Sequence, residues 1–432
     1  MPTFLPASSD KMIVSAGAKS FKLQPMQRSS GSPYVGVGLR EHQEVKATGG
    51  VMGEHLACLR GWHPALASAE LGALLPKATR RPTASQRWIF VDGTTPPQRN
   101  EALRIASGLQ CFLEDGFIHP WNDDEDAFLS TVEAYLIQHP VSGSVAVKPW
   151  RQEGKISDLS TSALAGKIGG IMVRAEYDID LETPDYTLAL IADGTSASIA
   201  CGWMEGGGNA SFGSGERRAA ERPFFKPVSL DPRLARLAVN LAAGPLGTGP
   251  VVDPMTGTGG FVIEASLSGR DGMGIDIHSE MVEGARTNLT WAHGEDESPT
   301  CSIERGDATR LGDALPEDWH GSVSGFVLDP PYGRNSQGSM ESQSLLKATL
   351  ESSYDVASHD AGFVLILPVK PMGERPNLPV SFDEDVELLS GSWPELLLLL
   401  KSCGWAPKSA HLEHVHKSLS RLILLARYVP RD

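Results

Sequence analysis

Asp329-Pro330-Pro331-Tyr332 follows directly on the apolar run Phe326-Val327-Leu328. Two successive prolines stiffen the chain just past a strand, so a carboxylate, a carbonyl and an aromatic ring are held in fixed relation. That arrangement suits methyl transfer to an amine on a planar group. Such a nitrogen is a poor nucleophile because its lone pair is delocalised into the ring. The Asp329 carboxylate and the Pro330 carbonyl can accept its two N–H bonds and favour a pyramidal nitrogen. Tyr332 can stack on the ring, a contact worth roughly 1–3 kcal/mol. A methyl on a sulfonium is already activated, so no strong base is needed and positioning does most of the catalysis. Adenine, cytosine, guanine and protein glutamine amides all satisfy this chemistry.

Upstream, Val251-Val252 runs into Asp253-Pro254-Met255-Thr256-Gly257-Thr258-Gly259-Gly260 and then a helical Phe261–Ala265 stretch. Glycines let the backbone approach a ligand closely, and the helix N-terminus offers free N–H groups. A dehydrogenase would show G-x-G-x-x-G here. The loop D-P-x-x-G-x-G-G instead suits a methionine carboxylate, with Asp253, Thr256, Gly257 and Gly259 as its carriers. A second strand, Gly272–Asp276, ends in a carboxylate placed to accept two ribose hydroxyls. Asp307, after a third strand, could accept from an adenine amine, although Gly-Asp is also ordinary turn chemistry. Asp329 lies only 69 positions after Gly260. That is too few for an inserted target-recognition domain, so substrate selection falls to the N-terminal half.

The elements around these motifs alternate apolar strands with helices after residue 228, the pattern of a doubly wound α/β sheet. Before it, 54–140 and 141–205 read as two α+β units, with strands at Leu56–Leu59, Trp88–Val91, Val145–Val147 and Thr187–Ile191. Residues 206–227 read as a linker, and 1–52 as a poorly ordered extension. Leu396–Leu400 reads as a buried helix.

The chain has 432 residues and a formal charge of −15, which at first sight disfavours nucleic acid. The acid is unevenly spread. Residues 1–226 carry 22 Lys+Arg against 25 Asp+Glu, and residues 227–432 carry 16 against 28. Between 215 and 236 the bases Arg217, Arg218, Arg222, Lys226, Arg233 and Arg236 outnumber the acids, a stripe that could hold phosphates or simply be solvated. His411, His414 and His416 fall in an alternating strand and predict no metal site. Asp123–Asp126 reads as a helix cap. Five cysteines without a C-x-x-C pair fit a reducing cytosol, and no apolar run reaches the roughly 20 residues a membrane span needs.

With these residues in hand, the chain resembles the archaeal tRNA (guanine-10-N2) methyltransferases. The carriers are Leu59-Arg60-Gly61-Trp62-His63-Pro64-Ala65-Leu66-Ala67, Arg222-Pro223-Phe224-Phe225-Lys226-Pro227, Asp231–Arg236 with Asn240-Leu241, Asp253–Ala265 and Asp329–Arg334. Thr256 stands where a Cys or similar residue is common, and Trp62 replaces a more usual acid. The resemblance implies a ferredoxin-like unit at 53–140 and an RNA-binding THUMP core at 141–205, joined to a Rossmann-like, seven-stranded methyltransferase domain at 228–432 ending in an antiparallel hairpin. It also implies S-adenosylmethionine at the glycine loop and Asp276, the guanine N2 amine at Asp329, and a second round giving the dimethylated base. The expected partner is tRNA, with its acceptor end on the THUMP region. No membrane and no metal are expected, the setting is cytoplasmic, and the protein is a monomer unless a small activating subunit joins it. Two other readings stay open: guanine-N2 methylation elsewhere in tRNA or rRNA, and a THUMP RNA-binding protein whose methyltransferase fold is inactive.

Overall fold

The computed structural model describes residues 54–206, 218–226, 229–293, 300–330, 339–371, 379–389 and 391–431. The N-terminal half runs β1 (His55–Leu59), α1 (Pro64–Leu74), β2 (Thr79–Pro82), β3 (Trp88–Asp92), α2 (Pro96–Ile105), β4 (Leu109–Pro120), α3 (Glu125–Gln138), β5 (Ser144–Arg151), α4 (Thr161–Arg174), β6 (Asp178–Ile179), β7 (Tyr186–Asp193) and β8 (Ser198–Gly206). Its strands form one sheet in the order β2-β3-β1-β4-β8-β7-β5-β6. The sheet is therefore continuous across position 140, through the β4–β8 ladder. Local signals set its helices. His63 Nδ1 accepts the Leu66 amide before Pro64-led α1, and Asp124 caps α3 through the Ala127 amide.

The C-terminal half runs α5 (Pro232–Ala243), β9 (Val251–Asp253), α6 (Gly260–Ser268), β10 (Gly272–Asp276), α7 (Ser279–His293), β11 (Cys301–Arg305), α8 (Leu311–Ala314), β12 (Val323–Leu328), α9 (Ser339–Val356), β13 (Ala357–Val369), β14 (Pro379–Val380), α10 (Trp393–Ser402), β15 (Trp405–His416) and β16 (Leu419–Tyr428). The sheet order is β11-β10-β9-β12-β13-β16-β15-β14. β9 to β13 are parallel, and β16 enters antiparallel between β13 and β15. This is the expected seven-stranded Rossmann-like sheet with its final hairpin, extended by a two-residue edge strand, β14. One face packs on α9 and α10, the other on α5, α6 and α7. α10 departs from expectation: Leu396 and Leu400 are buried, but Leu398 is 65% exposed. The leucine run is an amphipathic helix, because one face of a 3.6-residue period packs on no other element among the described residues.

From Leu234 to Ala243 every residue of α5 is buried. Its Leu234, Leu237, Val239 and Leu241 share a core with Leu66 of α1 and with Val327, Val364, Ile366 and Ile423 of the catalytic sheet. A helix without a solvent face must satisfy its polar side chains inside. Arg236 Nε donates to Glu264 Oε2 at 3.0 Å and Arg236 Nη1 to the Ile105 carbonyl at 3.3 Å. Asn240 Nδ2 donates to Glu70 Oε1 at 2.8 Å and to the same carbonyl at 2.9 Å. Glu70 also accepts the Ser107 and Gly108 amides, and Arg104 donates to the Ser268 carbonyl. The two halves are thus joined through a buried polar network.

Removing one partner of a buried ion pair strands the other charge, at a cost of about 3–5 kcal/mol. Arg236→Ala is expected to destabilise by that amount, whereas the double change Arg236→Met/Glu264→Leu recovers most of it. Denaturant midpoints of the three proteins test this. Equal losses in single and double variants would show that the pair carries little charge-specific strain.

Candidate active site

Five parallel strands direct their carboxyl ends to one crest, the usual place for ligands in such sheets. A cavity of about 1030 Å³ opens there, at the upper end of the range for small-molecule sites. Asp253, Thr256, Gly257, Asp276, Asp307, Asp329 and Pro330 all line it. The glycine loop, the second-strand acid, the third-strand acid and the proline-stiffened tip therefore meet in one place. Tyr332 and Pro331 lie outside the described residues.

The loop geometry follows from its glycines. Gly257 has φ +51 and Gly259 φ +83, left-handed values that favour glycine. Gly259 does not line the cavity. It turns the chain into α6, and a Cβ there would stand 3.2 Å from the Ala285 Cβ. In β10, a Cβ on Gly274 would approach the Thr256 hydroxyl to 2.5 Å; the loop rests directly on the second strand. The Gly257 amide donates to Asp276 Oδ2 at 3.1 Å and the His278 amide to Oδ1 at 2.9 Å. Both bonds fix the orientation of the Asp276 carboxylate. Asp307 Oδ1 already accepts the Thr309 amide and hydroxyl, so an adenine amine would fall to Oδ2.

Asp253 is 1% exposed. Its Oδ1 accepts the Met255 amide at 3.2 Å, and its Oδ2 is buried with no hydrogen-bond partner among the described residues. Burial, reinforced by the nearby Asp276 and Asp329 carboxylates, pushes its carboxyl up to about 8. Asp329 is pushed up to about 6 by burial, against the attraction of Arg421. Four carboxylates around one cavity, one with a buried oxygen that accepts no hydrogen bond from the described residues, form a site for a cationic ligand with donor groups. Met255, Phe261, Ile277 and Met281 supply apolar wall. S-adenosylmethionine, a cation with a flat ring, a diol and an amino group, fits that donor and wall set.

Ile277 is 57% exposed yet lines the cavity, and sequence reasoning missed it. An isoleucine straight after the strand-end acid was the available signal. Arg421, also at the cavity, was missed because it lies 92 positions beyond Asp329 and is delivered by strand register.

The basic stripe does not form one face. Arg236 (3% exposed) and Arg222 (4%) are buried; neither can reach a phosphate. This corrects the expectation from charge counting, which takes no account of burial. Lys226 is at the cavity rim, paired with Glu280 at 2.8 Å. Arg233 pairs with Asp231 and stands over the Trp62 ring. Arg218 is exposed, and Arg217 lies outside the described residues. The segment instead works as a strap. The Phe224 amide and carbonyl bond to the Asn288 side chain, which also holds the Thr258 carbonyl of the glycine loop. The Phe224 ring occupies the space where Gly284 has no side chain.

Residues 219–375 match the family model UPF0020, described as the RMKL-like methyltransferase domain. The tRNA (guanine(10)-N2)-dimethyltransferase of Pyrococcus abyssi is 30% identical over 363 residues, covering 84% of this chain and 95% of that protein. The chain belongs to the archaeal tRNA (guanine(10)-N2)-dimethyltransferase family. The member from Methanothermobacter thermautotrophicus is 39% identical over 140 residues, 32% of this chain and 38% of that protein. Among solved structures, that of TrmN from Thermus thermophilus aligns with TM-score 0.44 at 20% identity, over 87% of this chain and 99% of that one. S-adenosylmethionine is the cofactor of this methyltransferase family. Among the described residues no helix is long and apolar enough to cross a membrane, and no group of three His, Cys, Asp or Glu could hold a metal. His411 packs edge-on against His63, while His416 lines the cavity.

The raised Asp253 carboxyl has a consequence for stability. In the unfolded chain it ionises near 3.9, in the fold near 8. The folded state holds the proton longer, so the stability present below pH 4 is lost as pH rises through 8. Without ligand, the denaturant midpoint of the wild type is expected to fall between pH 5 and 9 more steeply than that of Asp253→Asn. Parallel profiles would show that the carboxyl is not displaced.

Proposed function

We propose that this protein transfers methyl groups from S-adenosylmethionine to the N2 amine of the guanine at position ten of tRNA, twice, giving N2,N2-dimethylguanosine. The observation that carries the reading is the convergence of Asp329 and Pro330 with the glycine loop and Asp276 on one cavity. Residues 54–206 serve as the RNA-binding, THUMP-containing half, and the setting is the cytoplasm. Arg217, Arg218, Lys226 and Arg233 remain candidates for phosphate contact.

When bound, S-adenosylmethionine supplies an activated methyl on a sulfonium. Asp253, Thr256 and Gly257 would hold its amino-acid end, Asp276 its ribose hydroxyls and Asp307 its adenine amine. Asp329 and the Pro330 carbonyl receive the two N–H bonds of the target amine and draw its lone pair out of the ring plane. Tyr332 stacks on the base. After transfer the nitrogen carries one proton too many. That nitrogen is far more acidic than a carboxyl near pH 6, so an Asp329 oxygen accepts the proton. A base inside a helix cannot reach this recessed carboxylate, so the guanine must be swung out.

Asp329 acts ionised, so activity rises as pH passes its value. The expected kcat/KM profile climbs tenfold per pH unit below about 6 and levels above it. Asp329→Asn is expected to lower kcat by about 10²–10⁴ while leaving S-adenosylmethionine affinity within a few-fold. Unmodified tRNA transcript and duplex DNA, each incubated with labelled donor and digested to nucleosides, test the substrate. Label is expected in mono- and dimethylguanosine at position ten; label in DNA alone would remove tRNA as the substrate.

A further inference from the structure

Arg421 stands at the crest without a part in the chemistry above. On β13, Leu365 pairs with Leu328 of β12 and with Leu424 of β16, while Pro368 pairs with Arg421. Arg421 is therefore level with a point three residues past Leu328, beyond the end of β12 and on the side of the carboxyl crest. It lies two strands from the Asp329 tip, about 10 Å at ordinary strand spacing. Both residues line the same cavity, and the Arg421 charge is close enough to draw the Asp329 carboxyl down.

Its guanidinium is held rather than loose. Glu413, directly across the hairpin, accepts from Arg421 Nη1 at 3.1 Å, with side chains 14% and 25% exposed. Burial raises the Glu413 carboxyl, and Arg421 opposes that shift. Asp231 and Arg233 supply the other charges acting on Glu413. A buried acid thus orients one edge of a planar fork whose five donors leave others for the cavity.

We propose that Arg421 reads the acceptor edge of the target base, O6 and N7, and so makes the site specific for guanine. This rests on the reading that the target amine is guanine N2. With the amine at Asp329, the rest of the purine extends from the β12 tip over β13 towards β16, where Ile366, Pro368 and Leu419 line the floor. Guanine presents two acceptors on its far edge, the pair that a guanidinium matches bidentately. Adenine presents a donor amine in place of O6, and the fork rejects it.

The test uses tRNA transcripts assembled with guanosine, 6-thioguanosine or 7-deazaguanosine at the target position. The first analogue weakens the O6 acceptor and the second removes N7; both keep the N2 amine. The wild type is expected to prefer guanosine in kcat/KM by about 5- to 150-fold, and Arg421→Ala to treat the three alike. Arg421→Lys keeps the charge beside Asp329 but not the fork. It is expected to lose the preference while retaining the acid limb near pH 6. Thermal midpoints and donor affinity of both variants report on folding, and Glu413→Gln, which leaves the guanidinium in place, is expected to weaken the preference in part. An equal loss on all three RNAs with an unmoved pH limb would make Arg421 a phosphate contact and overturn the proposal. An equal loss with the limb moved upward in Arg421→Ala would reduce it to a neighbour that tunes Asp329. If the wild type left the guanosine transcript unmethylated, the functional reading itself would fail first.

Discussion

From Leu234 to Ala243 helix α5 has no exposed residue, and this constraint shapes both halves of the molecule. Its leucines and valine fill the space between α1 and the catalytic sheet, so the two polar side chains in that stretch have to be answered within the protein. Arg236 meets Glu264 on one side and the Ile105 carbonyl on the other; Asn240 meets Glu70 and the same carbonyl. Arg270 adds bonds to Asn240 and to the Pro245 carbonyl. Such directional bonds in a low-dielectric interior penalise sliding as well as separation. The consequence for function is a fixed span between the N-terminal sheet and the crest. The chain between the glycine loop and the strand tip is too short for a recognition insert, so the proposed RNA-binding half is one whose position relative to the crest is fixed by these bonds.

The crest was legible in the sequence because its motifs are local. A left-handed glycine, a strand-end acid and a proline pair state their backbone geometry within a few residues. The charged middle block was not legible, because composition counts charges without placing them. Arg222 and Arg236 are as basic as Arg218, yet two of the three are buried. A clue was present for Arg236: it stands in Leu234-Ala235-Arg236-Leu237-Ala238-Val239-Asn240, a stretch apolar on every side of a helix, and the lone polar residues of such a helix point at buried partners. The blocks Arg222–Lys226 and Asp231–Leu241, which carry part of the family resemblance, prove to be the strap over the glycine loop and the clasp between halves. Arg421 and Ile277 show the other limit. The first is brought to the cavity by register across three strands, and no spacing along the chain encodes it.

The charge distribution finds its reason at the cavity. Residues 227–432 hold 28 acids against 16 bases, a poor balance for a surface that grips phosphates. Four of those acids, Asp253, Asp276, Asp307 and Asp329, line one cavity. Burial makes ionising Asp253 and Asp329 costly, which is why those two titrate high. A bound cation removes that cost in part, so donor binding and ionisation of the pocket favour each other through linkage.

The acidity also bears on how a polyanion can enter. Phosphates brought against the crest would meet like charge at low dielectric, where repulsion is strong. A neutral base with its amine foremost meets the opposite: carboxylate and carbonyl oxygens that need N–H donors. The cavity therefore discriminates between two parts of the same substrate, repelling its backbone and accepting its base edge. The proposed function meets that condition by rotating the nucleotide out while its backbone stays at a distance. The acid balance that first argued against nucleic acid is thus compatible with the proposed function, in which one base, rather than a stretch of strand, enters the site.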